Sequence, residues 1–319
     1  MSSAAEIPAP TSRPQLQRQQ HASTKPNLSS MGLWALIVLY AAARPLQAFP
    51  GRVPMLAVVI LHVLPPAVFA FVHGSLLYRL RGIVVFISLA LGIGGICETI
   101  GVLTGFPFGR YYFTDLMGPK LFVVPTFLGL AYVGVGYLSW TLARIITGEL
   151  KGSPSGWRVV TTPIIASFIM VAWDLSMDAV WSTILHAWIW VDGGAYFGVP
   201  VSNFFGWFLT VYLIYQVFAL YLRKKDVSPP RLSRGYWAVA IFFYTVVALG
   251  NLLVAIPRPG FNFATDPSGT QWKISDITGV SALISILLMG GFALIASVRL
   301  ADQSRIPAAQ ITCNEVHSR

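Results

Sequence analysis

Three carboxylates fall where the chain is otherwise almost pure hydrocarbon. Glu98 lies within residues 92–125, GIGGICETIGVLTGFPFGRYYFTDLMGPKLFVVP, in the part that reads as an apolar helix. Asp174 and Asp178 are spaced i and i+4, which places both on one helix face, in a stripe with Met170 and Trp181. An ionisable group inside a membrane helix is costly and turns toward the bundle interior or a water-filled cavity. Burial disfavours the charged form, so Glu98 reads as a general acid. Two adjacent carboxylates repel when both ionise, so the aspartate pair should retain one proton. The plainer alternatives stay open: a hydrogen bond or ion pair between Glu98 and Arg110, a capping or pairing role for Asp174, and a solvated rim position for Asp178.

Further polar and aromatic candidates cluster near these three. Arg110, Tyr111 and Tyr112 follow a Phe-Pro-Phe-Gly turn. The arginine could hold a carboxylate in place, and the tyrosines could hydrogen-bond a water. Trp173 and Trp181 are candidates for an aromatic wall that stabilises a cation, and Tyr196 sits in a second aromatic loop. Asp115, Asp192 and Asn203 could line an outer mouth, or act as solvated loop residues or helix caps. His62, His73 and His186 lack a partner at i+3 or i+4, so they read as structural and no metal site is expected. Nucleotide-binding loops, GxSxG, HExxH and histidine-box patterns are absent, and the last apolar segment has no lysine for a Schiff base. Carboxylates, tyrosines and apolar surroundings suit cofactor-free acid–base addition to an apolar substrate.

The elements that must position these residues are membrane helices. The chain has 319 residues, of which 55% are hydrophobic and 11% charged, against about 25% charged in soluble domains. Eight apolar segments, near 31–49, 53–73, 82–103, 121–146, 159–183, 203–222, 236–256 and 277–299, are each long enough to cross about 30 Å of hydrocarbon. Arg44-Pro45 weakens the first, so seven spans remain the alternative. The expected fold class is an all-α polytopic membrane helix bundle. A disordered polar tail is expected over 1–30, the transmembrane domain over 31–299 and a second polar tail over 300–319. The net charge of +10 reads as topology and not as nucleic-acid binding. With both termini cytoplasmic, only Arg44, Arg52, Arg110, Lys120, Arg258 and Lys273 fall outside, out of 22 Lys and Arg, as positive-inside loops require. A cell-membrane location follows, with Glu98, Asp174 and Asp178 in the outer half. Cys97 and Cys313 are not expected to pair.

A faint internal repeat groups the carboxylates. Glu98 and Asp174 each precede an aromatic-glycine loop, Phe106 to Tyr111 in one case and Tyr196 to Gly198 in the other. Each loop ends in Val-Pro, at 124–125 and 199–200, with proline where a helix can start without losing a hydrogen bond.

The motifs resemble the membrane-bound carotenoid 1,2-hydratases, the family of the γ-carotene 1′,2′-hydratase and the bisanhydrobacterioruberin hydratase. The resemblance rests on ETIGVLTGFPFGRYY from Glu98 to Tyr112, GPKL and Val124-Pro125, Trp173-Asp174 with Met177-Asp178, and GAYFGVPVSNFFGW from Gly194 to Trp207. It covers roughly residues 92–210; the N-terminal tail and the charged stretch 223–234 are outside it. It implies a hydro-lyase of carotenoid biosynthesis that hydrates an acyclic end group. The substrate would be an acyclic or monocyclic carotenoid of the lycopene, γ-carotene or bacterioruberin-precursor type, with water as co-substrate and other carotenoid enzymes as neighbours. In such a reaction an acid protonates C2, a tertiary cation forms at C1, and water adds there. Position alone offers Glu98 or Asp174 as donor, with the other, or Asp178, orienting and deprotonating the water. A carotenoid cyclase, which shares the protonation step, is the nearest alternative. A carotenoid-binding scaffold or proton-coupled transporter is the alternative from another class.

Overall fold

The computed structural model describes residues 28–49, 52–150, 152–225, 232–256 and 262–302. The two tails expected at 1–30 and 300–319 therefore lie outside the described residues, except for 28–30 and 300–302, which are helical. In hydrocarbon the backbone must satisfy its own hydrogen bonds, and the apolar segments accordingly form helices. These are α1 (Leu28–Ala43), α2 (Met55–Thr104), α3 (Thr126–Ile146), α4 (Arg158–Ala179), α5 (Val201–Lys225), α6 (Arg234–Asn251), α7 (Ile274–Ile284) and α8 (Gly290–Asp302). Among the described residues, five helical stretches are long and apolar enough to cross a membrane: Met55–Thr104, Thr126–Ile146, Arg158–Ile184, Val201–Lys225 and Ile274–Asp302. The last joins α7 to α8 through a wide π turn, Ser285–Met289, and α4 runs into a similar turn at Val180–Ile184.

α2 is not one rod. Fifty residues at 1.5 Å each would extend about 75 Å, more than twice the hydrocarbon core. Arg79 breaks it with φ 57 and ψ 174, and the halves 55–78 and 80–104 fold back on each other. Gly74 lies directly against Ile83, whereas nine residues of straight helix would separate them by about 13 Å. The connection expected across 74–81 thus narrows to a single residue. α3 also departs from expectation. It begins at Thr126, after Pro125, because residues 120–125 form a small antiparallel pair, β2 (Lys120–Leu121) with β3 (Val124–Pro125). Pro200 likewise immediately precedes α5.

α3 is the central helix, buried almost continuously from Ala131 to Ile145. Close approach is possible because Gly134 meets the α2 backbone: a Cβ there would stand 2.6 Å from Pro66 Cβ and 2.7 Å from Ala67 N. Without a hydrophobic drive between helices in lipid, such small-residue contacts carry the packing. At the end of α3 remote from Glu98, the buried Arg144 donates to Tyr78 Oη at 2.7 Å and to the carbonyls of Glu149 and Gly152 at 2.6 and 2.9 Å. His73 bonds Tyr137 Oη at 2.7 Å and the Tyr236 carbonyl at 2.8 Å, which is a structural role.

The two aromatic loops meet at one end of the bundle. β1 (Tyr111–Phe113) from the first pairs antiparallel with β4 (Trp188–Trp190) from the second, Tyr111 opposite Trp190 and Phe113 opposite Trp188. A third pair, β5 (Phe263–Thr265) with β6 (Gln271–Lys273), leads into α7. The C-terminal ends of α2 and α4 and the N-terminal ends of α3 and α5 surround the β1–β4 ribbon. This up-and-down order places Glu98, Asp174, Tyr132 and Asn203 at the same level.

Candidate active site

Glu98 is buried near the end of α2 and holds two phenols. Tyr111 Oη donates to its Oε2 at 2.5 Å and Tyr132 Oη to its Oε1 at 2.7 Å. Tyr111 Oη is also 3.4 Å from the Glu98 carbonyl, a second direction for the same hydroxyl proton. Tyr111 comes from β1 and reaches inward because alternate strand residues face opposite sides; Tyr112, next along, is half exposed. Tyr132 is fixed by Trp207 of α5, stacked on it at 4.6 Å with rings 7° apart.

Asp174 and Asp178 are each 1% exposed, and Asn203 from α5 joins them. Its Nδ2 donates one hydrogen to Asp174 Oδ2 at 3.1 Å and the other to Asp178 Oδ2 at 2.6 Å. An amide nitrogen has two protons, so this single group can serve both carboxylates. Asp178 Oδ1 also accepts from the indole nitrogens of Trp188 and Trp190, at 3.0 and 3.2 Å. Both tryptophans lie on one face of β4, at i and i+2. All three partners of Asp178 are obligate donors at these atoms, which favours the carboxylate form.

Glu98, Asp174 and Asp178 line one cavity, with Asn203, Trp207 and the β4 tryptophans among its other walls. Its volume is about 20 Å³, room for one water. A second, largely apolar cavity of about 60 Å³ adjoins it across Leu128, Met177 and Trp188. Arg44 lines that second cavity, its guanidinium bonded to Asn251 Oδ1. Among the described residues, no group of three or more His, Cys, Asp or Glu could hold a metal ion.

The sequence-derived candidates thus separate into two groups. Glu98, Asp174, Asp178, Tyr111 and Asn203 converge on the cavity, and Asn203 is a bridge between carboxylates, not a residue of the mouth. Asp178 is buried and not a solvated rim group. Arg110 does not reach Glu98; it forms an exposed bidentate pair with Asp192. The Asp192 hydrogen bond holds the Arg110 guanidinium above its usual range, and Arg110 in turn holds the Asp192 carboxyl below its own. Tyr112 faces away, toward Thr114 and His186. Tyr196 donates to the Leu175 carbonyl at 2.8 Å and so ties its loop to α4. Trp173 and Trp181 line the second cavity, Trp173 edge-on to Trp207 at 6.2 Å and Trp181 edge-on to His62 at 6.0 Å. Tyr132, Trp188, Trp190 and Trp207 are the site residues that sequence reasoning did not single out. The alternation Trp-Ile-Trp at 188–190 was the available signal for two of them.

A family model described as "Carotenoid biosynthesis protein" matches residues 54–260. No curated protein and no solved structure matches the chain.

Proposed function

The chain belongs to the carotenoid biosynthesis protein family, and from that premise we propose that it is a membrane hydro-lyase acting on carotenoids. It adds water across the terminal C1=C2 bond of an acyclic end group of the lycopene, γ-carotene or bacterioruberin-precursor type, giving a 1-hydroxy carotenoid. The observation that carries this reading is the one-water cavity bounded by three buried carboxylates. A site that makes a cation and traps it with water needs an acid, a base and a place for that water. Quenching by an internal alkene would need none of the last.

In this mechanism Glu98 is the acid. Tyr111 can turn its hydroxyl to donate to the Glu98 carbonyl while its oxygen accepts a hydrogen bond from the carboxyl O–H, so the protonated form keeps its partners. The alkene π pair forms the new C2–H bond with the Glu98 proton, leaving a tertiary cation at C1. The indoles of Trp188, Trp190 and Trp207, which wall the cavity, stabilise that charge. The cavity water forms the C1–O bond and loses a proton to the Asp174–Asp178 pair. Asp178, supplied with three donors, is the anionic member, and Asn203 keeps both carboxylates aimed at the water. Return of the proton from the aspartates to Glu98 closes the cycle. No electrons are transferred, so the steps call for no redox cofactor.

The accompanying topology is eight spans, with the halves of α2 counted separately, α1 crossing, both termini cytoplasmic and the carboxylate cavity in the outer half of the cell membrane. Expression in a host that accumulates an acyclic carotenoid tests the reaction. The predicted product is heavier than its precursor by one water; an isomer of unchanged mass would make the enzyme a cyclase instead.

A further inference from the structure

Glu98 borders a second opening besides the water cavity. Between the C-terminal half of α2 and the start of α3 runs an apolar groove of about 650 Å³, open to the outside of the bundle. That lies within the roughly 300–1,000 Å³ typical of small-molecule sites. Its inner end is Glu98 and Tyr132, and it shares Glu98 and Leu128 with the carboxylate cavity. Its floor is glycine. Gly92 and Gly95 lie along one helix face, and a Cβ built on either would have no atom within 4 Å. Two threonines border it, Thr99 and Thr126, and both hydroxyls are spent on backbone carbonyls, of Gly95 at 2.7 Å and Pro119 at 3.1 Å. Its mouth is the β2–β3 hairpin, where Phe122 is 86% exposed and held at φ 55. A bulky residue at positive φ is an outlier that persists only where the fold enforces it.

We propose that this groove binds the polyene chain of the substrate, which enters sideways from the bilayer with its end group delivered to Glu98. The inference rests on the hydration reading for the substrate and the chemistry at Glu98 but adds the groove that holds the polyene and its path of entry. The occupant is a linear, conjugated hydrocarbon and not a saturated acyl chain. A groove whose bordering threonine hydroxyls are spent on the backbone suits a chain with no polar atoms. A conjugated chain is already rigid, so it loses less conformational freedom on immobilisation. Tyr132, stacked on Trp207, closes the inner end with aromatic surface. Glu98 would thus meet alkene on the groove side and water on the cavity side.

The open space above the two glycines supplies the test. Gly95→Ala, Gly95→Leu and Gly95→Phe fill the groove in graded steps, as does Gly92→Phe, each starting from a Cβ that meets no protein atom within 4 Å. Gly291→Phe, at an equally open glycine of α8, is the control. Binding is read on full-length protein in lipid nanodiscs, by quenching of tryptophan fluorescence and the induced dichroism of lycopene, with squalane as the saturated competitor. Lycopene affinity should fall progressively along the Gly95 series, by tenfold or more at Gly95→Phe and Gly92→Phe. It should be unchanged in Gly291→Phe, and squalane should compete weakly. Affinity unchanged across the Gly95 and Gly92 variants overturns the groove assignment, as does equal competition by squalane, which would make it a lipid site. Glu98→Gln separates the two readings: it should bind lycopene normally yet form no hydrated product. Normal binding with full hydration would leave the groove standing and remove Glu98 from the chemistry.

Discussion

Asn203→Leu attacks the point where the two aspartates depend on one group. Leucine keeps the approximate shape of asparagine but donates nothing, so both the 3.1 Å and the 2.6 Å hydrogen bonds are lost. Hydrogen bonds to charged groups contribute about 1.5–3 kcal/mol each. With Asp178 the anionic member, its lost bond is about 1.5–3 kcal/mol and the neutral bond to Asp174 about 0.5–1.5 kcal/mol, about 2–4.5 kcal/mol together. At 1.36 kcal/mol per decade of rate, hydration should fall by about 30-fold at least and about 2,000-fold at most. Asn203→Ser, which retains one donor, should fall between wild type and Asn203→Leu. The assay is initial product formation in membranes with matched protein levels, paired with a thermal melt to confirm folding. Activity within threefold of wild type in a folded Asn203→Leu protein would refute the claim that this amide organises the aspartate pair.

Other perturbations have equally definite outcomes. Tyr132→Phe keeps the stack on Trp207 and removes one hydrogen bond from Glu98, so product formation should drop about 10- to 100-fold with little change in melting temperature. Trp188→Phe and Trp190→Phe each remove one donor from Asp178 and should lower turnover more than substrate binding, seen as a fall in kcat at similar KM. Arg110→Ala should leave turnover nearly unchanged, because its pair with Asp192 is exposed, and exposed pairs contribute little. The folded-state acidity of Asp192 is depressed, so whatever that pair adds to stability is present above the ordinary carboxylate range and lost as pH falls through the depressed value. Wild type and Arg110→Ala should therefore differ slightly in melting temperature above about pH 4 and converge as pH falls through the depressed Asp192 value. Asp266 accepts from the Ser268 and Thr270 amides at 2.9 and 3.0 Å and from the Trp272 indole at 2.8 Å. Asp266→Ala should loosen the β5–β6 turn and raise its cleavage by protease, with the bundle intact.

How far the sequence discloses the site follows from energetic cost. A carboxylate in an apolar run is costly, so Glu98, Asp174 and Asp178 stand out as candidates without structure, and the fold brings all three to one cavity. Tyr132 does not, because tyrosine in a membrane helix reads equally as interfacial anchor or filler; only the fold brings its hydroxyl to Glu98. Trp188 and Trp190 sit in a three-residue strand, too short for a period of two to stand out in an aromatic loop. Trp181 shares a sequence stripe with Asp174 and Asp178, but the π turn at Val180–Ile184 changes the helical register there, and the ring faces His62. The fold is legible in the same uneven way. Apolar length discloses the helices and places the break in α2 within 74–81, but not its narrowing to one residue, an arginine instead of a glycine or proline. That tight reversal brings Gly74 directly against Ile83, a contact that hydropathy does not record.

The central claim is that Glu98 supplies the proton and the cavity water supplies the oxygen of one addition. A dual-label experiment tests it most directly: membranes incubated with lycopene in deuterated, oxygen-18 water, and the product analysed by mass and NMR. The account predicts one deuterium at C2 and one heavy oxygen at C1 in wild type, and neither in Glu98→Gln. Product from Glu98→Gln carrying both labels at the wild-type rate, or wild-type product with deuterium at C2 but no heavy oxygen, would contradict it.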